Sequence, residues 1–441
     1  MKRSLIFLAL CVATLITVVA TAVLATLATL SPNGAVWTLP LRASVFGHEV
    51  RREASVPVLL RLGTHPLAAR LVDGRHIDTA QGRWWLRADA PHVVTATCAP
   101  CRVQLAALGP QPLPLEQVQL TLHADGADQY HGSLHLGTPP QRITLAWRGR
   151  VERGGRMNLD AELPAAALAQ VVRIFGAGLP ERDAVQVEGT LALALHGQLP
   201  HSEASPWRLQ PRIEGFAVSG LGTERLADFQ RPAACRVDRV AGIVPIAGWL
   251  PRAVVAAEDQ RFFEHPGYDL AALGEVWLHN QRPGAALAGA STITQQLAKL
   301  LVTGDERSAT RKLRELLYAV EMERTLGKAR ILQLYLALAP WGDGVCGAER
   351  ATRVHLGQRE ASAVGPVAAA WLASLLPAPD ALLHADQRRG RIDEARVARV
   401  IESLRPMSPA RREAAQQALL SWSPAAVGPP RGAPEAPAAT P

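Results

Sequence analysis

One feature constrains this chain before any other. From Leu5 to Leu30 it carries 26 residues without a charge, and about 20 apolar residues suffice to cross a bilayer as a helix. Lys2 and Arg3 precede the run, which predicts a single-pass anchor in the cytoplasmic (inner) membrane. The N-terminus would stay in the cytoplasm and the bulk of the chain would enter the periplasm. A cleaved signal peptide is the competing reading, but its apolar core is normally about 7–15 residues and ends at a small-residue cleavage site.

The remaining length leaves room for two or three domains. With 48% hydrophobic and 20% charged residues the composition is globular, and the net charge of +8 (pI about 9.7) suits anionic partners. For an exported chain these are phospholipid headgroups or phosphorylated substrates, and no nucleic acid is expected. Cys11 falls within the apolar run. Cys98 and Cys101 form a lone C-x-x-C without the second pair or histidines of a zinc site. A local disulfide and two free thiols are the alternatives, the disulfide favoured. A Cys235–Cys346 pair is open.

After a short linker at 31–40, residues 41–225 read as β-structure of unknown role. "QVQLTLHADG", "YHGSLHLG", "QRITLAWRGRVE" and "VQVEGTLALALHG" alternate apolar with polar residues between Gly and Pro. One helix, "PAAALAQVVRIFGAG", interrupts them and should stop at Gly176 or Gly178. The strand rhythm loosely resembles AsmA-like envelope proteins. The boundary falls at about 226–240, and from there to 385 the apolar spacing is helical. "RKLRELLYAVEMERTLGKARILQLYLALA" repeats at three- and four-residue steps, and "VGPVAAAWLASLLPAPDALL" predicts a buried helix closed by Pro377 and Pro379. A charged helical extension is expected over 386–422, and a disordered Pro/Ala tail over 423–441.

Three segments of the helical part place polar residues where a core would want apolar ones. In "AVVAAEDQRFFEHPGYDL", Glu258, Phe262 and His265 would share a helix face, with Asp259 beside them and Asp269 beyond the Pro266–Gly267 break. A carboxylate in such an apolar segment should hold its proton more tightly than usual, which suits proton transfer near neutrality. In "GASTITQQLAKLL", Ser291 or Thr292 should cap a helix whose free N–H groups meet a phosphate or sugar hydroxyl. Gln296 and Lys299 would lie one turn apart, Lys299 as counter-charge to a pyrophosphate. In "RKLRE", Arg311 and Lys312 share a helix face with Glu315, an arrangement that by itself is equally an ordinary salt bridge.

In order, spacing and residue type these segments resemble glycosyltransferase family 51, found in class A penicillin-binding proteins and monofunctional peptidoglycan transglycosylases. Glu258, Asp259, Phe262, His265, Gly267 and Asp269 match its E-D-x-x-F-x-x-H-x-G-x-D motif. Gly289 to Lys299 match G-x-S-T-I-T-Q-Q-x-x-K, and Arg311, Lys312 and Glu315 match R-K-x-x-E. The similarity covers about 236–382. It implies a mainly α, lysozyme-like glycosyltransferase domain (236–385); with the apolar run and the strand patterning, the expected fold is α+β multidomain: transmembrane helix, β-rich middle domain and that domain. It implies that Glu258 is the general base and that Glu315 is the second catalytic carboxylate, orienting cations or holding a divalent ion, magnesium or manganese. It also implies substrate contacts for Asp259, Phe262, His265, Ser291, Thr292, Gln295, Gln296, Lys299, Arg311 and Lys312. The expected partners are lipid II, the growing glycan strand and membrane lipid, with other wall-synthesis proteins reached through the β-region. An apolar membrane-dipping stretch between the first two motifs would correspond to Leu270, Leu273, Trp277 and Leu278.

The fourth motif, K-x-x-I-L-E-x-Y-L-N, keeps Lys328, Ile331, Leu332, Tyr335 and Leu336, but Gln333 replaces Glu and Ala337 replaces Asn. A later Tyr-Phe-Gly becomes His355-Leu356-Gly357, while the glycine run keeps Gly342, Gly344 and Gly347. About 56 residues follow 385, too few for a transpeptidase domain, and the S-x-x-K, S-x-N and K-T-G set is not assembled. A monofunctional polymerase is expected. The alternatives are a non-catalytic scaffold or lipid-binding protein that keeps this fold, and a glycan hydrolase.

Overall fold

The computed structural model describes residues 37–45, 48–103, 111–126, 128–200, 206–228, 246–282, 284–285, 289–306 and 308–427. The expected anchor, Cys235 and the tail from 428 lie outside the described residues. Among the described residues no single helix is long and apolar enough to cross a membrane.

The first part is β-rich. Strands β1 (Thr38–Val45) and β2 (His48–Ser55) form a hairpin, followed by helices α1 (Val56–Thr64) and α2 (Pro66–Val72). Then come β3 (His76–Thr79), β4 (Gly82–Ala90), β5 (Val93–Cys98), β6 (Cys101–Val103), β7 (Leu113–Leu115), β8 (Val118–Ala124), β9 (Gln129–Leu136), β10 (Ile143–Val151) and β11 (Met157–Ala167). Helix α3 (Leu168–Phe175) separates these from β12 (Gln186–Leu199) and β13 (Arg208–Ser219). Nine strands make one antiparallel sheet in the order β13-β12-β11-β10-β9-β8-β5-β4-β3, and β6-β7 form a small sheet of their own. In β10, Thr144, Ala146, Arg148 and Arg150 face solvent while Ile143, Leu145, Trp147 and Val151 face inward, as the period-2 pattern requires. Ile174 of α3 packs on that inner face with Ile143 and Leu163. A disulfide joins Cys98 to Cys101, Cα atoms 5.5 Å apart, as favoured from sequence.

The helical part comprises α4 (Trp249–Glu258), α5 (Leu270–Asn280), α6 (Ile293–Ala298), α7 (Ala309–Thr325), α8 (Gly327–Leu338), α9 (Ala348–Leu356), α10 (Pro366–Leu375), α11 (Pro379–Arg389), α12 (Glu394–Ser403) and α13 (Pro409–Leu419). All nine side chains of α10 from Val367 to Leu375 are buried, so it is the central helix of this core. Trp371 on it donates to the buried Asp386, which also takes Arg396 of α12.

Several boundaries differ from the sequence expectation. Two helices stand at 56–72, where β-structure was expected. Each opens with a proline in its first turn, where the missing N–H costs nothing. The first four residues of "PAAALAQVVRIFGAG" extend β11 instead, and the helix ends at its Gly176 cap. The long periodic stretch breaks at Leu326–Gly327 into α7 and α8. Pro379 opens α11 rather than closing a helix, and the charged extension is two helices, α12 and α13.

The β-rich and helical parts meet along the outer face of α7. Leu317 and Val320 are buried against Val172, Leu179 and Val218, and fully burying such side chains is worth about 1.5–3 kcal/mol each. Glu181, on the loop after α3, receives both Nε and Nη2 of Arg314 and the hydroxyl of Tyr318. That ion pair holds the Glu181 carboxyl below its usual range despite partial burial. Burial, together with the Glu181 charge, pushes Tyr318 up to about 12. Backbone N–H of Leu221 donates to Glu321, and Trp277 of α5 donates to the carbonyl of Trp207. Glu181→Gln should cost about 1–3 kcal/mol, the range for stranding a charged partner, in urea unfolding followed by tryptophan fluorescence. The exchanged pair Glu181→Arg/Arg314→Glu should recover part of the loss; an unchanged midpoint for Glu181→Gln would contradict this seam.

Candidate active site

Glu258 is the last residue of α4. The chain leaves the helix at once, because Asp259 adopts an extended φ of −162° and turns its carboxylate inward. Its Oδ1 meets Nε2 of His265 at 2.8 Å, and its Oδ2 accepts the backbone N–H of Ile293 at 2.9 Å, the first residue of α6. Gly267 N–H donates to His265 Nδ1, so Nε2 carries the proton given to Asp259. Gly267 sits at φ +91°, and a Cβ there would lie 3.0 Å from the Ala319 backbone. Glycine thus lets this turn abut α7. Glu258, Phe262 and His265 therefore do not share a helix face; they are gathered by a turn folded around Asp259. Phe262 is fully buried beneath the Lys328 ammonium, 4.4 Å from its ring centre. Lys328 also donates to the carbonyl of His265 and to Glu323.

The Glu258 carboxylate has two different oxygens. Oε2 accepts from Nε2 of Gln296 at 2.8 Å, and the Gln296 amide is oriented by the Tyr335 hydroxyl donating to its Oε1 at 2.8 Å. Oε1 is enclosed and has no protein partner. Burial pushes the Glu258 carboxyl up; the Gln296 bond opposes this and the Asp259 charge reinforces it. A cavity of about 320 Å³ opens beside it, lined by Glu258, Asp259, Arg261, Asp269, Glu275 and residues 289–292 among others.

The cationic side of the site comes from α7, capped by Ser308 accepting the N–H of Arg311. Buried Glu315 is gripped by Arg311 at Oε1 and by Lys312 at Oε2. Lys312 also donates to the hydroxyl of Ser291, on the cavity wall.

This arrangement can be set beside known proteins. A family model described as transglycosylase matches residues 230–405. The biosynthetic peptidoglycan transglycosylase of Nitrosomonas eutropha is 43% identical over 174 residues, 39% of this chain and 70% of that protein. The chain belongs to the transglycosylase family. The protein of the same name from Thiobacillus denitrificans is 38% identical over 187 residues, 42% of this chain and 78% of its own length. The nine-stranded sheet precedes the transglycosylase match.

Within the transglycosylase region the sequence-predicted residues separate into three groups. Glu258, Asp259, Ser291 and Thr292 line the cavity, with Gln296, Lys312, Arg311 and Glu315 directly behind them. Phe262, His265 and Gln295 hold the framework instead: Gln295 completes a capping box with Thr292. Three N–H groups at the N-terminus of α6 are already taken. Ile293 N–H goes to Asp259, Gln295 N–H to the Thr292 side chain, and Gln296 N–H to the Thr292 carbonyl. Lys299 is separated from the group: it opens a π-helical turn and pairs with Asp305 at 2.7 Å. A divalent ion does not fit at Glu315, because both its oxygens are already taken by cationic side chains. Asp259, His265 and Asp269 lie close enough to suggest a ligand set, but Asp269 caps α5 and pairs with Arg261, while Asp259 already takes His265 and the Ile293 N–H. The motifs carried no signal for Glu323 and Arg261, or for the contact that Tyr335 makes; Glu323 and Tyr335 act through contacts with Thr294 and Gln296, 29 and 39 positions away, and Arg261 across the turn to Asp269.

The raised Glu258 value has a sign that can be measured. A carboxyl that binds its proton more tightly folded than unfolded makes the native state lose stability as pH rises from about 4.5 through the raised value. Glu258→Gln removes that loss. It should melt with the parent protein near pH 4 and at a higher temperature at pH 8; equal shifts at both pH values would contradict the assignment.

Proposed function

We propose that this chain polymerises lipid-linked disaccharide-peptide (lipid II) into glycan strands and releases undecaprenyl pyrophosphate, as a peptidoglycan glycosyltransferase. The observation that carries this reading is buried Glu258, whose Oε1 has no protein partner, on the wall of a cavity that is also lined by Ser291, the partner of Lys312. The acceptor's sugar hydroxyl gives its proton to Oε1 as its oxygen bonds to the anomeric carbon of the growing strand. The bond from that carbon to the pyrophosphate breaks, and the leaving group takes the electron pair. Glu258 later returns the proton to water. The transition state is oxocarbenium-like, and charge on the departing pyrophosphate is met by Lys312 and Arg311. Glu315 is the positioning residue that holds both cations. Burial makes Glu258 a stronger base than an exposed carboxylate.

The apolar run Leu5–Leu30 anchors the enzyme in the cytoplasmic membrane, with the catalytic part in the periplasm, where its lipid-linked substrate is presented. Helix α5 borders the cavity through Ala272 and Glu275 and exposes Leu273 and Leu278, which gives the lipid portion an apolar surface. Full-length protein in detergent should convert lipid II to long glycan. Glu258→Gln should slow this by about 10²- to 10⁴-fold, the usual contribution of a positioned base. Undiminished polymerisation by Glu258→Gln would overturn the mechanism, shortening of preformed glycan would indicate a hydrolase, and lipid II binding without turnover a scaffold.

A further inference from the structure

The chain between the apolar run and the sheet places one surface close to the bilayer. In the β1–β2 hairpin Thr38 pairs with Ser55, and the N–H of Val56 donates to the carbonyl of Trp37 at 3.0 Å. Helix α1 therefore starts beside Trp37, only seven residues beyond Leu30. Seven residues span at most about 25 Å when fully extended. If Leu30 marks the end of a membrane span, α1 begins within that reach of the lipid, whatever path the intervening residues take.

The surface so placed is unusual in composition. Among the described residues eleven large apolar side chains are exposed, and five of them fall within residues 62–85: Leu62, Leu67, Leu71, Ile77 and Trp85. Leu67 and Leu71, 70% and 76% exposed, are one turn apart on α2 and share a face. Reciprocal backbone bonds, Gly74 N–H to Leu86 O and Leu86 N–H to Arg75 O, lay the end of α2 against β4, the strand that carries Trp85. Arg70 and Arg75 are exposed between these side chains and make no ion pair among the described residues. The nearest acid, Asp73, is engaged by the N–H of Ala88.

We propose that α1, α2 and the β3–β4 edge form a membrane-docking surface that lies on an anionic lipid interface, distinct from the catalytic part. Exposed leucines and a tryptophan flanked by unpaired arginines match what the headgroup region takes up: apolar side chains to the acyl boundary, guanidinium groups to lipid phosphates. The reach of the tether favours lipid over a protein partner as the occupant. A single span leaves the body free to swivel, whereas a second contact fixes its height and tilt over the leaflet that carries the substrate. The inference rests on the anchored reading given above.

The test uses the full chain in nanodiscs of phosphatidylcholine and phosphatidylglycerol, with p-benzoylphenylalanine placed at Leu71, at Leu67, or at exposed Gln417 of α13 as control. Irradiation followed by mass spectrometry should give at least fivefold more lipid adduct at 67 and 71 than at 417, falling when phosphatidylglycerol is omitted. Equal adducts at all three positions, in a chain retained by the disc, would overturn the docking surface and leave the anchor standing. Cross-links from 71 to a second copy of the chain would overturn it in favour of self-association. Failure of the disc to retain the chain would overturn both readings.

Discussion

The buried carboxylate of Asp259 is the interaction on which the rest of the catalytic part depends. It ends α4 immediately after Glu258, receives His265 across a tight turn, and takes the first N–H of α6. Three pieces of chain are thereby fixed around Glu258. Such a group is costly to bury unless its lone pairs are satisfied, and here both oxygens are. The same satisfaction explains why Asp259 serves the site as a strut. Its negative charge, held beside Glu258, then helps keep that neighbour's carboxyl above the ordinary range.

Helix α7 is the second organising element, because its two faces do different work. One presents Arg311, Lys312 and Glu315 to the site. The other is covered by the β-rich part, through Leu317, Val320 and the Arg314–Glu181 pair. Arg314 lies between Lys312 and Glu315 in sequence, so the rotation of α7 that seats it on Glu181 also sets the direction of Lys312. The sheet, although outside the transglycosylase match, is thus packed against the helix that carries Arg311, Lys312 and Glu315.

Much of this was legible in the sequence, and the failures share a cause. The period-2 strands, Gly176 as a stop, and the three polar segments were readable because each is a local pattern. The geometry of 258–265 was not, because helical spacing continued through Asp259 while a tertiary bond to Ile293 pulled it out of the helix. Gln295 and Lys299 looked like ligands in a polar run, yet one is spent on a cap and the other on Asp305. The drift in the fourth motif, Gln333 and Ala337, spares Tyr335, the residue whose hydroxyl orients Gln296. Glu181 carried no local signal at all: its partner Arg314 is 133 positions away.

The central claim is that Glu258, tuned by burial and by Gln296, is the base. The acid limb of kcat/KM against pH for polymerisation reads that group in the free enzyme. The account predicts a limb above the ordinary carboxylate value of 4.5, moving to still higher pH in Gln296→Met, because the Gln296 bond is what lowers Glu258. A limb near 4.5, or one that Gln296→Met leaves in place, would contradict it.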